Sequence, residues 1–236
     1  MRKVIRLTLN TLLIVLLAIA ISAAFWLGLV PQRFSPFPPL DLASGPGLFL
    51  DAQLAVLRRD FPLCQAILKT PHVSAVPVAG KEFVKQCGWR NGVRLSSAGG
   101  AQISVEPLTC EMAAAFALWV EYALQPAAVE ILGSRVASIE DMGSYDCRNI
   151  IGNKLWRDVR SEHAKANALD IAGFKLEDGR RISVLGDWKS KGPEGQFLRE
   201  AHRRACRYFR VALGPEFNDA HKNHFHFDRG LLWRCR

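Results

Sequence analysis

The sequence predicts an α+β domain carried behind an N-terminal membrane-spanning helix. Three observations predict it. A 24-residue stretch without charge, residues 7–30, follows the basic Arg2, Lys3 and Arg6. Beyond it, segments with helical apolar spacing stand at both ends of a set of short alternating segments. One pair of them, ALDIAGF and RRISV, is separated by the LEDG turn, and the sheet is expected to be small and mostly antiparallel.

Taken as a helix, residues 7–30 reach about 36 Å at ~1.5 Å per residue, enough to cross a ~30 Å hydrocarbon core. The basic flank keeps the N-terminus in the cytoplasm and turns the remainder outward. The expected location is the inner membrane, single-pass, with the C-terminal domain in the periplasm. The rival is a cleaved signal peptide with a small-residue site near Ser22, Ala23 and Ala24, leaving a soluble periplasmic domain. The apolar run continues to Val30, long for a signal peptide, which favours the anchor. Residues 31–50, rich in Pro and Gly, read as an extended linker. The folded domain is expected over 51–236.

Within the domain, DAQLAVLRRD and FPLCQAILKT read as two short helices and GVRLS as a strand. Residues 109–125 form the best helix, with Thr109 as cap. Pro126 ends or restarts it, and AAVEIL continues to Gly133, a C-cap. SRVASIE, ALDIAGF and RRISV read as strands, the last two joined by the LEDG turn. QFLREAHRRACRYF is an amphipathic helix, and NHFHFD is the last strand.

The formal charge is +9. Its basic residues are scattered rather than gathered on one predicted face, so no nucleic-acid partner is expected. An anionic envelope polymer or a membrane surface fits the charge as well. Six cysteines, Cys64, Cys87, Cys110, Cys147, Cys206 and Cys235, all follow the apolar run. An even number in an exported chain, with no CxxC pair, points to disulfides rather than to zinc. Sequence leaves the connectivity open; the expected pairing is Cys64–Cys87, Cys147–Cys206 and Cys110–Cys235.

The chemistry gathers in two places. In HKNHFHFD, strand alternation puts His224, His226 and Asp228 on one face and Phe225 and Phe227 on the other. An HxH pair alone fits a polar surface strand equally well. In SEHAKANALDIAGF, however, Asp170 sits inside an apolar strand seven residues after His163. A buried carboxylate needs a partner, and a metal ion supplies one. Two histidines and a carboxylate, with one position left for water, are a recurring catalytic zinc set.

Ser161-x-His163-x6-Asp170 resembles the SxHxxGxAxD motif of zinc peptidases that include D-Ala-D-Ala carboxypeptidases and penicillin-insensitive murein endopeptidase. The motif's glycine falls at Ala166 or Asn167. Tyr145-Asp146-Cys147-Arg148 resembles the Tyr-Arg segment upstream of that motif. More broadly CGW, WVEYALQPAA, GSYDCRN, SEHAKANALDIAGF, ACRYF and LGPEFNDAHKNHFHFD, in this order, resemble the bacterial extensin-like C-terminal family over roughly residues 50 to 236. No Ser-Pro repeat of a plant extensin is present.

The resemblance implies a zinc D-Ala-D-Ala peptidase-like fold, Zn2+ held by His163, Asp170 and His226, and a peptidoglycan peptide as substrate. Many such carboxypeptidases place a general-base glutamate three residues before the last histidine ligand; here that residue is Asn223. The HxxHxH pattern of the murein endopeptidase type matches instead, as His221, His224 and His226. His224 is then the catalytic candidate, able to accept and return a proton. Arg148 either holds a substrate carboxylate or developing oxyanion, or is a structural ion pair. Ser161, His221 and Asp228 are candidates for orienting a ligand or touching substrate: Ser161 also reads as a turn cap, His221 as peripheral, and Asp228 as a partner of a ligand imidazole or an exposed residue. His72 and His202 receive no role, and Trp156 and Trp188 read either as lining a cleft or, the favoured use, as core. The rival function is a non-catalytic peptidoglycan- or envelope-binding module on the same fold.

Overall fold

In the computed structural model, residues 2–152 and 155–236 are described, with residues 2–5 as backbone alone. The side chains of Arg2 and Lys3 lie outside the described residues. The chain opens with α1 (Arg2–Trp26), whose span Arg6–Trp26 is apolar and exposed over most of its length. The short helices α2 (Leu50–Val56) and α3 (Phe61–Ile67) follow. Asp60 starts α3 by accepting from Leu63 N at 3.0 Å.

Strands β1 (Val73–Val78), β2 (Lys81–Val84), β3 (Cys87–Trp89), β4 (Gly92–Ala98) and β5 (Ala101–Thr109) lead to the central helix. That helix is α4 (Cys110–Trp119), a π turn over Val120–Leu124, and α5 (Gln125–Leu132). Thr109 caps it by accepting from Met112 N at 3.3 Å, and Gly133 ends it in the left-handed region at φ 70°. Pro126 restarts the helix: the π turn takes up the register change where proline offers no N–H. Every residue of α4 is buried, so its apolar length reflects the core rather than a second span.

Then come β6 (Val136–Gly143), β7 (Ala168–Leu176), β8 (Arg181–Ser183), α6 (Val184–Asp187), α7 (Pro193–Ala205), β9 (Val211–Leu213), β10 (Phe225–Asp228) and β11 (Arg234–Cys235). The main sheet runs β1-β4-β5-β6-β7-β10-β9-β11, with β8 on β7. The architecture is α+β, as expected. The sheet is larger than expected, with nine strands, and mixed: β5–β6 and β9–β11 are parallel, and the other pairs antiparallel.

Trp119 anchors the core between helix and sheet. Its ring meets Phe116, Phe174, Phe209 and Phe227 at centroid distances of 5.2–6.4 Å, and its Nε1 donates to Ala201 O at 3.1 Å. Trp188 is buried, as expected, against Phe225. Trp156 differs, being 37% exposed.

Residues 31–50 hold a 3-10 turn, Gln32–Phe34, and a series of bends, and they lie against the domain. Leu40 and Leu42 are buried in its core, and Tyr122 donates to Leu42 O at 2.9 Å.

All six cysteines are paired, but not as expected. The bridges are Cys64–Cys110, Cys87–Cys147 and Cys206–Cys235, with Cα separations of 6.0, 5.5 and 5.7 Å. Packing decides the pairing. α3 lies on α4, which brings Cys64 to Cys110. α7 packs on β9, whose parallel neighbour β11 carries Cys235 to Cys206, and Trp89 of β3 packs on Tyr145, two residues before Cys147.

Candidate metal and catalytic site

β7 and β10 are neighbours in the sheet, and their antiparallel register sets Asp170 directly opposite His226. Phe225 and Phe227 point away from the site and are fully buried, which fixes the strand. His163 enters from a 3-10 turn, Glu162–Lys165, just before β7. Ser161 caps that turn, its Oγ accepting from His163 N at 3.3 Å. The turn ends at Ala166, whose φ of 55° lies in the left-handed region. Of the two positions open for the motif's glycine, it is Ala166 that adopts glycine-like backbone.

Three atoms converge. His163 Nε2, Asp170 Oδ1 and His226 Nδ1 lie 3.2, 2.9 and 3.1 Å apart, pair by pair. The far nitrogen of each ring is already engaged. His163 Nδ1 lies 3.1 Å from Ser144 O, and His226 Nε2 lies 3.0 Å from Asp228 Oδ2. An oxygen acceptor requires a donor opposite it, so in each neutral ring the far nitrogen carries the hydrogen. The near nitrogens therefore present lone pairs, and both aim at a carboxylate oxygen.

Three acceptors cannot satisfy one another; a proton or a metal ion placed among them would relieve the conflict. Two solutions exist: a proton shared between His226 and Asp170, or a metal ion. Without a metal, the surroundings of the two groups favour the protonic solution. Burial opposes charge on His226, but hydrogen bonds to Asp170 and Asp228 outweigh it and raise its pKa to about 10. Burial also opposes charge on Asp170; hydrogen bonds from His163 and His226 outweigh it and hold the carboxyl well below the usual range. The metal solution fits as well. Tetrahedral zinc with bonds of ~2.0–2.1 Å needs donors about 3.3 Å apart. The observed spacing would have to open by only a few tenths of an ångström.

The second oxygen of Asp170 faces the other candidates. Oδ2 lies 3.7 Å from His224 Nε2 and 4.0 Å from Arg148 Nη2. His224 Nδ1 is engaged by Asn223 Oδ1 at 2.9 Å, which leaves Nε2 with its lone pair toward the site. Burial lowers the His224 pKa. His221 packs on His224 and His226 at centroid distances of 5.3 and 5.7 Å, with Nδ1 2.7 Å from Asn218 Oδ1. Burial, reinforced by charge on His226 and His224, pushes its pKa down to about 4. Arg148 Nε pairs with Asp146 Oδ2 at 2.9 Å, beside the Cys87–Cys147 bridge. Asp228 is buried, not exposed, and also accepts from Gly230 N at 2.8 Å.

All eight candidate residues thus share one neighbourhood. Sequence reasoning missed the parts that hold them. Ser144, whose carbonyl engages His163, gives no signal, because a backbone acceptor has none. Asn218, three residues before His221 and at the start of a 3-10 turn, is legible as a cap in retrospect. In the sequence Asn223 stands out only as the position where a glutamate is missing.

A model of the family described as "Extensin-like protein C-terminus" matches residues 62–236. The chain belongs to this family. The match takes in every residue of the candidate site and all six cysteines, as well as the central helix. No curated protein and no solved structure matches the chain. Within this extensin-like domain, His72 pairs with Glu121 at 3.3 Å, away from the site. His202 is buried under Trp188 and Phe225, and its Nε2 has no hydrogen-bond partner among the described residues.

Proposed function

We propose that this chain is a membrane-anchored zinc hydrolase, facing outward into the periplasm, that cleaves peptide bonds of peptidoglycan. The convergence of three lone-pair atoms from His163, Asp170 and His226 carries the reading. Each ligand is oriented from behind: His163 by Ser144, His226 by Asp228, and Asp170 by its register in β7. The cysteines are committed to bridges, so the donor set is the histidine–carboxylate type found in catalytic rather than closed structural sites. Zinc held there supplies Lewis-acid chemistry, polarising a carbonyl and lowering the pKa of water.

The chain's own residues supply the rest. His224, neutral near pH 7 and held by Asn223, accepts a proton at Nε2 and returns it to the leaving amine. Asn223 thereby serves the histidine rather than replacing a base. Arg148, half-buried beside the Asp170 carboxylate, pairs with a substrate carboxylate or with the developing oxyanion.

A second reading keeps the fold as a wall-binding module without catalysis, and the amide at Asn223 favours it. Incubating the purified chain with peptidoglycan and weighing the released fragments separates the two. The hydrolase releases new muropeptides, and the Asp170→Ala variant releases none. A binding module retains the wall polymer and releases no fragment.

A further inference from the structure

The apolar span ends at Trp26, and that end is gripped by the domain. The Arg210 guanidinium lies 3.6 Å over the Trp26 ring and donates to its carbonyl at 2.7 Å. Arg58 donates to the same carbonyl at 3.4 Å. Two cations thus satisfy a helix C-terminus, where bare carbonyls carry partial negative charge. Apolar groups flank the exit point on both sides. Trp233 packs on Trp26 at 5.7 Å, and Phe37 packs on Phe25 at 5.2 Å and stacks on Phe49 at 4.2 Å.

The outer faces of these groups are bare. Leu231, Leu232 and Trp233 are 61, 47 and 57% exposed, and Leu48 and Phe49 are 95 and 51% exposed. Arg234 and Arg236 follow Trp233 in sequence, and no acidic residue occurs from Arg229 to Arg236. Apolar side chains with tryptophan at the end of a span, edged by arginine, match the chemistry of a bilayer's headgroup boundary.

We propose that Leu48, Phe49, Leu231, Leu232 and Trp233 lie in the lipid interface where α1 leaves the bilayer, so that the domain sits on the membrane. The inference rests on α1 being an uncleaved anchor. The packing of Leu40 and Leu42 into the core agrees, because it leaves residues 31–50 no slack to act as a tether. Trp233 lies five positions after Asp228, a reach of at most about 18 Å. The candidate site is therefore held close to the membrane surface.

A photo-crosslinking benzoylphenylalanine placed in turn at Leu12, Leu48, Leu185 and Leu232 tests this in the full chain. The chain is reconstituted in vesicles of phosphatidylethanolamine and phosphatidylglycerol, and lipid adducts are read by mass. Leu185 is the control, 63% exposed on α6, which packs on β7, β8 and α7. Adducts at Leu48 and Leu232 several-fold above Leu185 are expected. Adducts at both positions no higher than at Leu185 overturn the proposal. Leu12 reads the anchor separately: adducts there without adducts at Leu48 and Leu232 leave the anchor standing and remove the docking.

Discussion

At His224 one imidazole has its Nδ1 tied to Asn223 and its Nε2 aimed at Asp170. Its removal takes away a proton carrier but no ligand. His224→Ala is therefore expected to keep its zinc and to slow cleavage by about 10²–10⁴-fold, whereas alanine at His163, Asp170 or His226 loses both. Metal content measured beside fragment release distinguishes the two classes. Asn223→Ala frees the ring to turn, and a drop in rate with zinc retained is expected. His202 makes a different prediction. Burial lowers its pKa, so the unfolded chain binds its proton more readily than the folded one. Its contribution to stability is present above the unfolded value of ~6.5 and is lost as pH falls below it. Denaturant titrations of wild type and His202→Phe at pH 7.5 and 5 should show a smaller acid loss in the variant. These residues differ in legibility. His163, Asp170 and His226 were readable because strand alternation and an apolar context single them out. Asn223 and Ser144 were not, since their work is to orient a neighbour and depends on contacts that spacing does not encode.

At the scale of elements, α4 and β10 meet through charges that the sequence does not flag. Glu111, in the first turn of α4, is fully buried and pairs with Arg58 and with Arg229, the latter at 2.8 Å. Arg229 directly follows β10 and also reaches Asp51 at 2.8 Å, which pairs with Arg210 at 2.7 Å. Breaking such a network by removing one anion strands buried cations. Glu111→Ala is expected to cost about 3–5 kcal/mol in denaturant unfolding. Because the network also holds the start of the segment 229–233, the loss should loosen the grip on Trp26. Helix α4 itself was legible, from its Thr109 cap and its run of strong helix formers. β5 was not predicted, although AQISVEPLT alternates; nor were β1, β9 and β11, which are short, exposed or at an edge and carry little pattern of their own.

For the whole molecule, the α+β class was legible because helix and strand periodicities are distinct, whereas the sheet's size and mixed direction depend on long-range pairing. The disulfides show the same limit. Their number and oxidised state follow from composition, but Cys87 finds Cys147 across 60 residues through packing alone. Loop-closure entropy for a bridge of that span is worth about 4 kcal/mol. The paired serine variant at Cys87 and Cys147 should lose stability of that order under oxidising conditions and, by freeing the Arg148 segment, lose rate more than zinc. The account as a whole stands on the cation among His163, Asp170 and His226. The most direct measurement is the metal content of the purified chain after zinc repletion and removal of excess. About one zinc per wild-type chain, and none in Asp170→Ala at the same protein concentration, is the predicted result. A wild-type chain that folds and holds no zinc contradicts it.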